Sequence, residues 1–454
     1  MHAVAPAPLN PTFDVMATSP RRVAVVTAAA VATAASALVA VAASHTDTAP
    51  PPPVTGVQVL SLATDCGAVC QATVVAALQS GGCGDLRLFG ALRMVAARCP
   101  LKDSSPSPPA SVRAAAYSTA SAKTAAWMGA LPGVTAVDAD AVGHGDAPAP
   151  TATMATAAAR RSPPPYFWHR DRVNQHDLPL DGVVNSTACY PARGAGVLVF
   201  VADTGIAAGH TEFGSRAIAM PGPGSPYSSG NDDNGHGTHT AGIACGATAG
   251  VAPGATLMAV KILDGHDTGA GADLIAALDY AATLKALDAA AKVVFSASVQ
   301  GFGPASTTAA DRAAAAGVIV VVSAGNREGV GADAAGDACA SHPAAARRAI
   351  TVAAADSADA LSGDSNAGPC VDVIAPGVHV LSADAFWLPG GLARRSGTSM
   401  AAPVVAGLAA LVLAEESEGG NMTGADVLAR LTAGAPTVGG FPLAWANPDC
   451  KCAR

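Results

Sequence analysis

Four stretches of this 454-residue chain are nearly free of polar side chains, and they constrain its architecture most. Residues 197–202, 257–263, 293–299 and 318–322 are runs of Val, Leu, Ile, Ala, Phe and Met, broken only by Lys261, Ser296 and Ser298. A strand with one wet face alternates in polarity, whereas a continuous apolar run is buried on both faces. Helical stretches at 273–284 and 309–316 separate the later runs. Strands alternating with helices predict an α/β fold: a doubly wound, mostly parallel sheet covered on both faces. Shorter strands are expected at 349–354, 371–374 and 379–382. Sites in such sheets lie beyond the carboxyl ends of the strands. The first run ends at Asp203-Thr204-Gly205 and the fourth at Ser323-Ala324-Gly325-Asn326, so Asp203 and Asn326 fall at that end.

The segment 395–416, R-S-G-T-S-M-A-A-P-V-V-A-G-L-A-A-L-V-L-A-E-E, predicts a buried helix beginning at or just after Ser399, with Pro403 in its first turn. A serine there sits at the positive end of a helix, beside unpaired N–H groups. Its hydroxyl could attack a carbonyl while its own N–H held the oxyanion. Taken alone, it reads equally as an N-cap. A second polar cluster, Asn234-Gly235-His236-Gly237-Thr238-His239-Thr240, supplies an imidazole. Acyl transfer by serine needs a neutral base and a carboxylate that fixes the base's tautomer. Ser399, His236 and Asp203 are those three types. A turn aspartate, a helix-start histidine and a capping serine are each ordinary singly, but their joint occurrence in this order is not. His236 and His239 lack the third ligand a metal would need.

These segments resemble the signatures of the subtilisin-like serine proteases (subtilases, peptidase S8), the proteinase K-like branch in particular, over about Trp168 to Pro442. The order Asp, His, Ser is that of subtilisin. The resemblance implies a serine-type endopeptidase with Ser399 as nucleophile, His236 as general base and Asp203 as orienting carboxylate. It implies Asn326 as an oxyanion donor. Polypeptide substrate would lie extended between Thr268-Gly269-Ala270-Gly271 and Ser298-Val299-Gln300-Gly301, with Ser323, Ala324 and Gly325 completing the wall of the acyl-side pocket. It also implies a Cys339–Cys370 disulfide, and no cofactor for the chemistry; Asp372 aligns with a structural calcium ligand of some members. Gln300 stands where the family usually has glycine, so its long side chain is expected to narrow or polarise the cleft. Ala402 and Val404 replace a common threonine and histidine, and Thr240 a cysteine seen in some relatives.

The N-terminal part divides by composition. Residues 1–44, with a charge-free Ala/Val run, read as a secretory signal, with a signal anchor or organelle import as runners-up. Residues 45–53 are a Pro-rich linker. Residues 54–145 read as a small βαββαβ unit, with strands at 57–62, 86–96 and 134–142 and helices at 68–78 and 112–131; it resembles the family's ferredoxin-like inhibitory propeptide (inhibitor I9 type). Residues 146–165, with Arg160-Arg161, are a linker where cutting is expected, and the catalytic domain spans 166–454. Ten cysteines suit an oxidising compartment. Cys66, Cys70, Cys83 and Cys99 fit two bridges within the small unit, whereas Cys189, Cys245, Cys450 and Cys452 have no assignable partner. Asn185 and Asn421 begin glycosylation tripeptides. The net charge of −8 argues against nucleic acid or an anionic membrane surface as partner. The chain is thus expected to be a secreted, monomeric zymogen that removes its own propeptide. The competing reading is a self-processed scaffold that stays capped and serves in binding.

Overall fold

The structure, a computed structural model, describes residues 57–99, 124–145, 167–184, 190–327, 336–386, 389–416 and 422–446. The expected signal segment, both linkers, Asn185, Asn421, Cys189, Cys450 and Cys452 lie outside these residues.

The small unit is a four-stranded antiparallel sheet in the order β2-β3-β1-β4, built from β1 (Val57–Leu62), β2 (Gly84–Phe89), β3 (Met94–Arg98) and β4 (Val134–Ala139). Helix α1 (Ala68–Ser80) and a helical turn at 124–129 cover it, burying Leu60, Leu62, Val74, Leu78, Val95 and Met128. Bridges Cys66–Cys70 and Cys83–Cys99 staple it. The run 86–96, expected as one strand or a hairpin arm, is a hairpin that turns at 90–93, where Arg93 adopts a left-handed φ of 53°. The expected final strand 134–142 also divides: β5 (Val142–Gly145) leaves the small sheet and joins another.

After the short α2 (Trp168–Val173), the apolar runs form one seven-stranded parallel sheet. Its strands are β6 (Val197–Asp203), β7 (Ala217–Pro221), β8 (Thr256–Lys261), β10 (Lys292–Ala297), β12 (Ile319–Ser323), β13 (Ile350–Ala355) and β14 (Val373–Pro376), in the order β14-β13-β12-β10-β6-β8-β7. Successive residues point to opposite faces. Val199, Val201, Val294, Val321 and Val352 share a core with α3 (His236–Cys245) and α6 (Thr398–Glu415). Phe200 and Phe295 stack on the other face, where Phe200 meets Tyr280 of α4 (Gly271–Leu287) edge-on. Helix α5 (Gly303–Ala315) lies on that face as well. The doubly wound α/β fold is therefore the one the sequence predicts. Edge strand β7 was not legible: it is short, half-buried and ends at Pro221, as an edge allows.

Helix α6 is apolar all round because it is buried all round, and Ala402 and Val404 are fully enclosed core residues. Among the described residues it alone is long and apolar enough to cross a membrane, yet 89% of that window is buried inside the fold. The helix starts at Thr398, so Pro403 stands in its interior rather than in its first turn. A proline there leaves the Ser399 carbonyl without its helical donor. The Ser298 hydroxyl donates to that carbonyl instead, at 2.9 Å.

The small unit sits on α4 and α5 through specific polar contacts. Arg312 of α5 donates to the carbonyls of Leu92 (2.7 Å), Arg93 (2.7 Å) and Leu62 (2.9 Å). Asp279 of α4 accepts the Leu92 N–H at 3.0 Å, and Arg87 pairs with Asp273 at 2.6 Å. Helix α4 has no side-chain cap of its own; Asp140 supplies one, accepting the Ala272 N–H at 2.9 Å.

Cys339 and Cys370 are joined, while Cys245 is a buried thiol that burial pushes up to about 12.

Candidate active site

Asp203, the last residue of β6, is fully buried. Its Oδ1 accepts from His236 Nδ1 at 2.8 Å and from the Thr204 N–H at 2.7 Å, and its Oδ2 lies 3.2 Å from the Thr240 hydroxyl. His236 opens α3. This helix can approach β6 so closely because Gly237 has no side chain: a Cβ there would lie 2.2 Å from the Gly205 carbonyl and 3.1 Å from Asp203 Cβ. Asp232 fixes the turn before it, accepting from the N–H groups of Asn234, Gly235 and Thr238 and from the hydroxyls of Thr204 and Thr238. Burial would raise the Asp232 carboxyl, but these donors outweigh it and hold it below the usual range.

His236 Nε2 is buried and makes no hydrogen bond among the described residues. Burial alone would lower the imidazole's pKa. The carboxylates of Asp203 and Asp267, with the Asp203 hydrogen bond, overcome that and the opposing Arg395 charge, raising it to about 9. Asp203, His236 and Asp267 each bring one ligand atom within 4.8 Å of the others, so two carboxylates flank one imidazole. His239 is not a second member: its Nε2 pairs with the Ala393 carbonyl at 3.0 Å, and burial holds it well below the usual histidine range.

Ser399 is the second residue of α6, where a backbone N–H has no acceptor within the helix. Its hydroxyl lies 3.4 Å from the Ser298 carbonyl. Asn326 follows β12, and its Oδ1 accepts from the Thr398 N–H (3.0 Å) and hydroxyl (3.1 Å), which ties its amide to the start of α6. Gln300 is buried, and its Oε1 accepts the Asn326 N–H at 2.7 Å and would lie 2.6 Å from a Cβ on Gly325, so the long side chain reaches from its own edge to the Ser323-Ala324-Gly325 wall. Ser323 donates to the Val299 carbonyl at 3.2 Å. Asn366 holds the next two carbonyls, its side-chain amide donating to Ala324 at 3.0 Å and its backbone N–H to Gly325 at 2.9 Å.

The two expected substrate edges are present as β9 (Thr268–Ala270) and β11 (Val299–Gln300), with Gly271 opening α4 and Gly301 turning at φ 83°. The chain's own β5 lies antiparallel between them. Gly143 pairs with Gly269 and His144 with Thr268 on one side; His144 pairs with Gln300 and Gly145 with Val299 on the other. The Gly145 N–H donates to the Asp267 carbonyl at 3.1 Å.

Asp372 bonds to Thr351 in both directions, its own N–H donating to the Thr351 carbonyl at 3.0 Å. One of its oxygens accepts the Thr351 N–H at 2.8 Å, and it belongs to no cluster of three or more Asp, Glu, His or Cys side chains among the described residues. Sequence reasoning missed Asp232, Asp267 and the Ser298 hydroxyl. Asp232, four residues before His236, carries no local mark that separates it from its neighbour Asp233, and Asp267 stands in a loop beside the β9 edge.

A parallel α/β sheet with an aspartate at a strand's carboxyl end bonded to a helix-start histidine, and a serine at the start of a second buried helix, is the arrangement of a class of proteins built around a serine hydroxyl. The chain belongs to the Subtilase family, peptidase S8, whose pattern matches residues 194–443. It is 41% identical over 251 residues to the extracellular serine proteinase of Thermus sp. (strain Rt41A), covering 55% of this chain and 57% of that one. It is 38% identical over 251 residues to alkaline serine exoprotease A of Vibrio alginolyticus, covering 55% and 44%. The chain thus spans about half the length of the curated relatives it matches. A solved cold-adapted subtilisin-like serine proteinase superposes with a TM-score of 0.52 at 32% identity, covering 62% of this chain and 98% of that one.

Proposed function

We propose that the chain is a secreted serine endopeptidase made as a self-capped zymogen. Ser399 attacks the scissile carbonyl while His236 Nε2 takes its proton and later delivers it to the leaving amine; Asp203 holds Nδ1–H and stabilises the imidazolium. The Asn326 side-chain amide and the Ser399 N–H donate to the developing oxyanion. Water then releases the acyl group by the same proton path in reverse. No cofactor enters these steps.

The observation that carries this reading is β5, an extended segment of the chain's own sequence held between the two edges beside Ser399. Gly145 pairs with Val299, and the Ser399 hydroxyl lies 3.4 Å from the carbonyl of the next edge residue, Ser298. A strand continued one residue past Gly145 therefore offers its carbonyl to the nucleophile. In this chain the attacked bond is Asp146–Ala147, just past the expected end of the small unit, and trimming near residues 160–165 follows. The small unit is then an inhibitory propeptide that remains seated on α4 and α5. The disulfides and the extracellular relative support secretion. The capped-scaffold reading is not favoured, because the relatives this chain resembles are named as proteinases.

Expression of the full chain beside Ser399→Ala tests this, read by N-terminal sequencing and fluorophosphonate labelling. Wild type is expected to be cut after residue 146 and to label, and the variant to stay whole. A variant processed like wild type would overturn the proposal.

A further inference from the structure

The two inward positions of β5 are both glycines, and in each case the space a side chain would need is already filled. Alternate residues of a strand share a face, so Gly143 and Gly145 point the same way. A Cβ on Gly145 would lie 2.3 Å from Asp267 Oδ1 and 2.6 Å from Oδ2. A Cβ on Gly143 would lie 2.2 to 2.5 Å from three ring atoms of Phe302, itself 1% exposed. Phe302 is the firmer obstacle. It is packed at the start of α5, and its N–H is bonded to the His342 carbonyl. Asp267 has a short side chain on a left-handed backbone (φ 64°), and its carboxylate lies beside the His236 imidazole.

We propose that Asp267 and Phe302 fill the pockets for the first and third residues before the acyl residue, and so direct the enzyme to glycine-rich chains of the pattern Gly-X-Gly-X, cut after the last residue. This rests on the peptidase reading and adds a substrate class to it. The chain's own Gly143-His144-Gly145-Asp146 is the first such sequence. The intervening side chain faces away from both obstacles and is free to vary. Nothing else along β5 demands glycine: its pairings with β9 and β11 are backbone contacts that any residue makes.

The test uses the processed enzyme and three quenched-fluorescence peptides that carry Gly-X-Gly-X, Leu-X-Gly-X or Gly-X-Leu-X in one context. Forcing a side chain into a filled site slows cleavage by about 10- to 100-fold, so wild type is expected to prefer the first peptide by that factor in kcat/KM over both others. Asp267→Gly fits its left-handed backbone and is expected to relieve only Gly-X-Leu-X. Phe302→Ala is expected to relieve only Leu-X-Gly-X. Ratios within one enzyme cancel any loss of active fraction. Equal cleavage of all three by wild type overturns the inference, as does an Asp267→Gly enzyme with unchanged ratios. An enzyme that cleaves none of the peptides and does not label with fluorophosphonate overturns the peptidase reading and this inference with it. If either variant fails to fold, the wild-type ratios decide alone.

Discussion

Removal of the Arg312 guanidinium should loosen the cap. The side chain gives three hydrogen bonds to the small unit, at 2.7, 2.7 and 2.9 Å, all to carbonyls in β1 and in the turn between β2 and β3. A bond from a charged donor contributes about 1.5–3 kcal/mol. The sum overstates the effect, because Arg312 is partly exposed and the three carbonyls rehydrate once the unit leaves. A net loss of about 2–3 kcal/mol remains, which corresponds to about 30- to 150-fold in the dissociation constant of the cap. Arg312→Met keeps the apolar stem and removes the donors. The assay is dilution of the processed, still-capped protein, with the rate of fluorophosphonate labelling read at each concentration. Half-maximal labelling should appear at a protein concentration about 30- to 150-fold higher than in wild type. If Arg312→Met releases at the wild-type concentration with an unchanged melting temperature, the reasoning fails, and apolar contact rather than these carbonyls holds the cap.

The same interface should respond to pH. Burial raises the Asp140 and Asp279 carboxyls to about 6, more than their backbone N–H partners lower them. Once released, both face water and return toward 3.8. The capped form therefore holds extra protons. Their stabilising contribution is complete below about pH 4 and is lost as pH rises through about 6, so the half-release concentration should climb at least about tenfold across that window and level off above it; a flat profile would contradict this. Catalysis should climb with pH as well, over a higher range. His236 must be neutral to act as base, and its pKa near 9 reflects Asp203 and Asp267 working against burial and Arg395, with His239 held neutral behind it. Asp267→Asn removes one of the two carboxylate charges, so the acid limb of kcat/KM should move to lower pH; an unmoved limb would show that Asp267 does not act on His236.

The sheet was legible because burial on both faces writes itself as uninterrupted apolar runs, and 197–202 and 318–322 match β6 and β12 to within a residue. Run ends were less legible where function intervenes. The run 293–299 resumes at Val299 after Ser298, but the backbone leaves the sheet at Ala297 to build the β11 edge. Asp203, His236, Ser399 and Asn326 stood out through their neighbours, since Gly and Thr around them mark close approach and tight turns. Asp267 and Phe302 did not, because their meaning lies in what Gly143 and Gly145 lack. That pairing joins positions more than a hundred residues apart, and no local pattern carries it. The length of Gln300 was visible, but its acceptor role toward Asn326, 26 residues on, was not.

Pro403 and Ser298 together couple two parts that a helix would ordinarily keep separate. With the helical donor missing, the Ser399 carbonyl is fastened to the rim that reads substrate, and the Ser399 hydroxyl returns a contact to the Ser298 carbonyl. Ser298 and Ser399 are thus joined reciprocally, each hydroxyl toward the other's carbonyl, so the edge and the start of α6 are held in one fixed relation by the loss of a single helical bond.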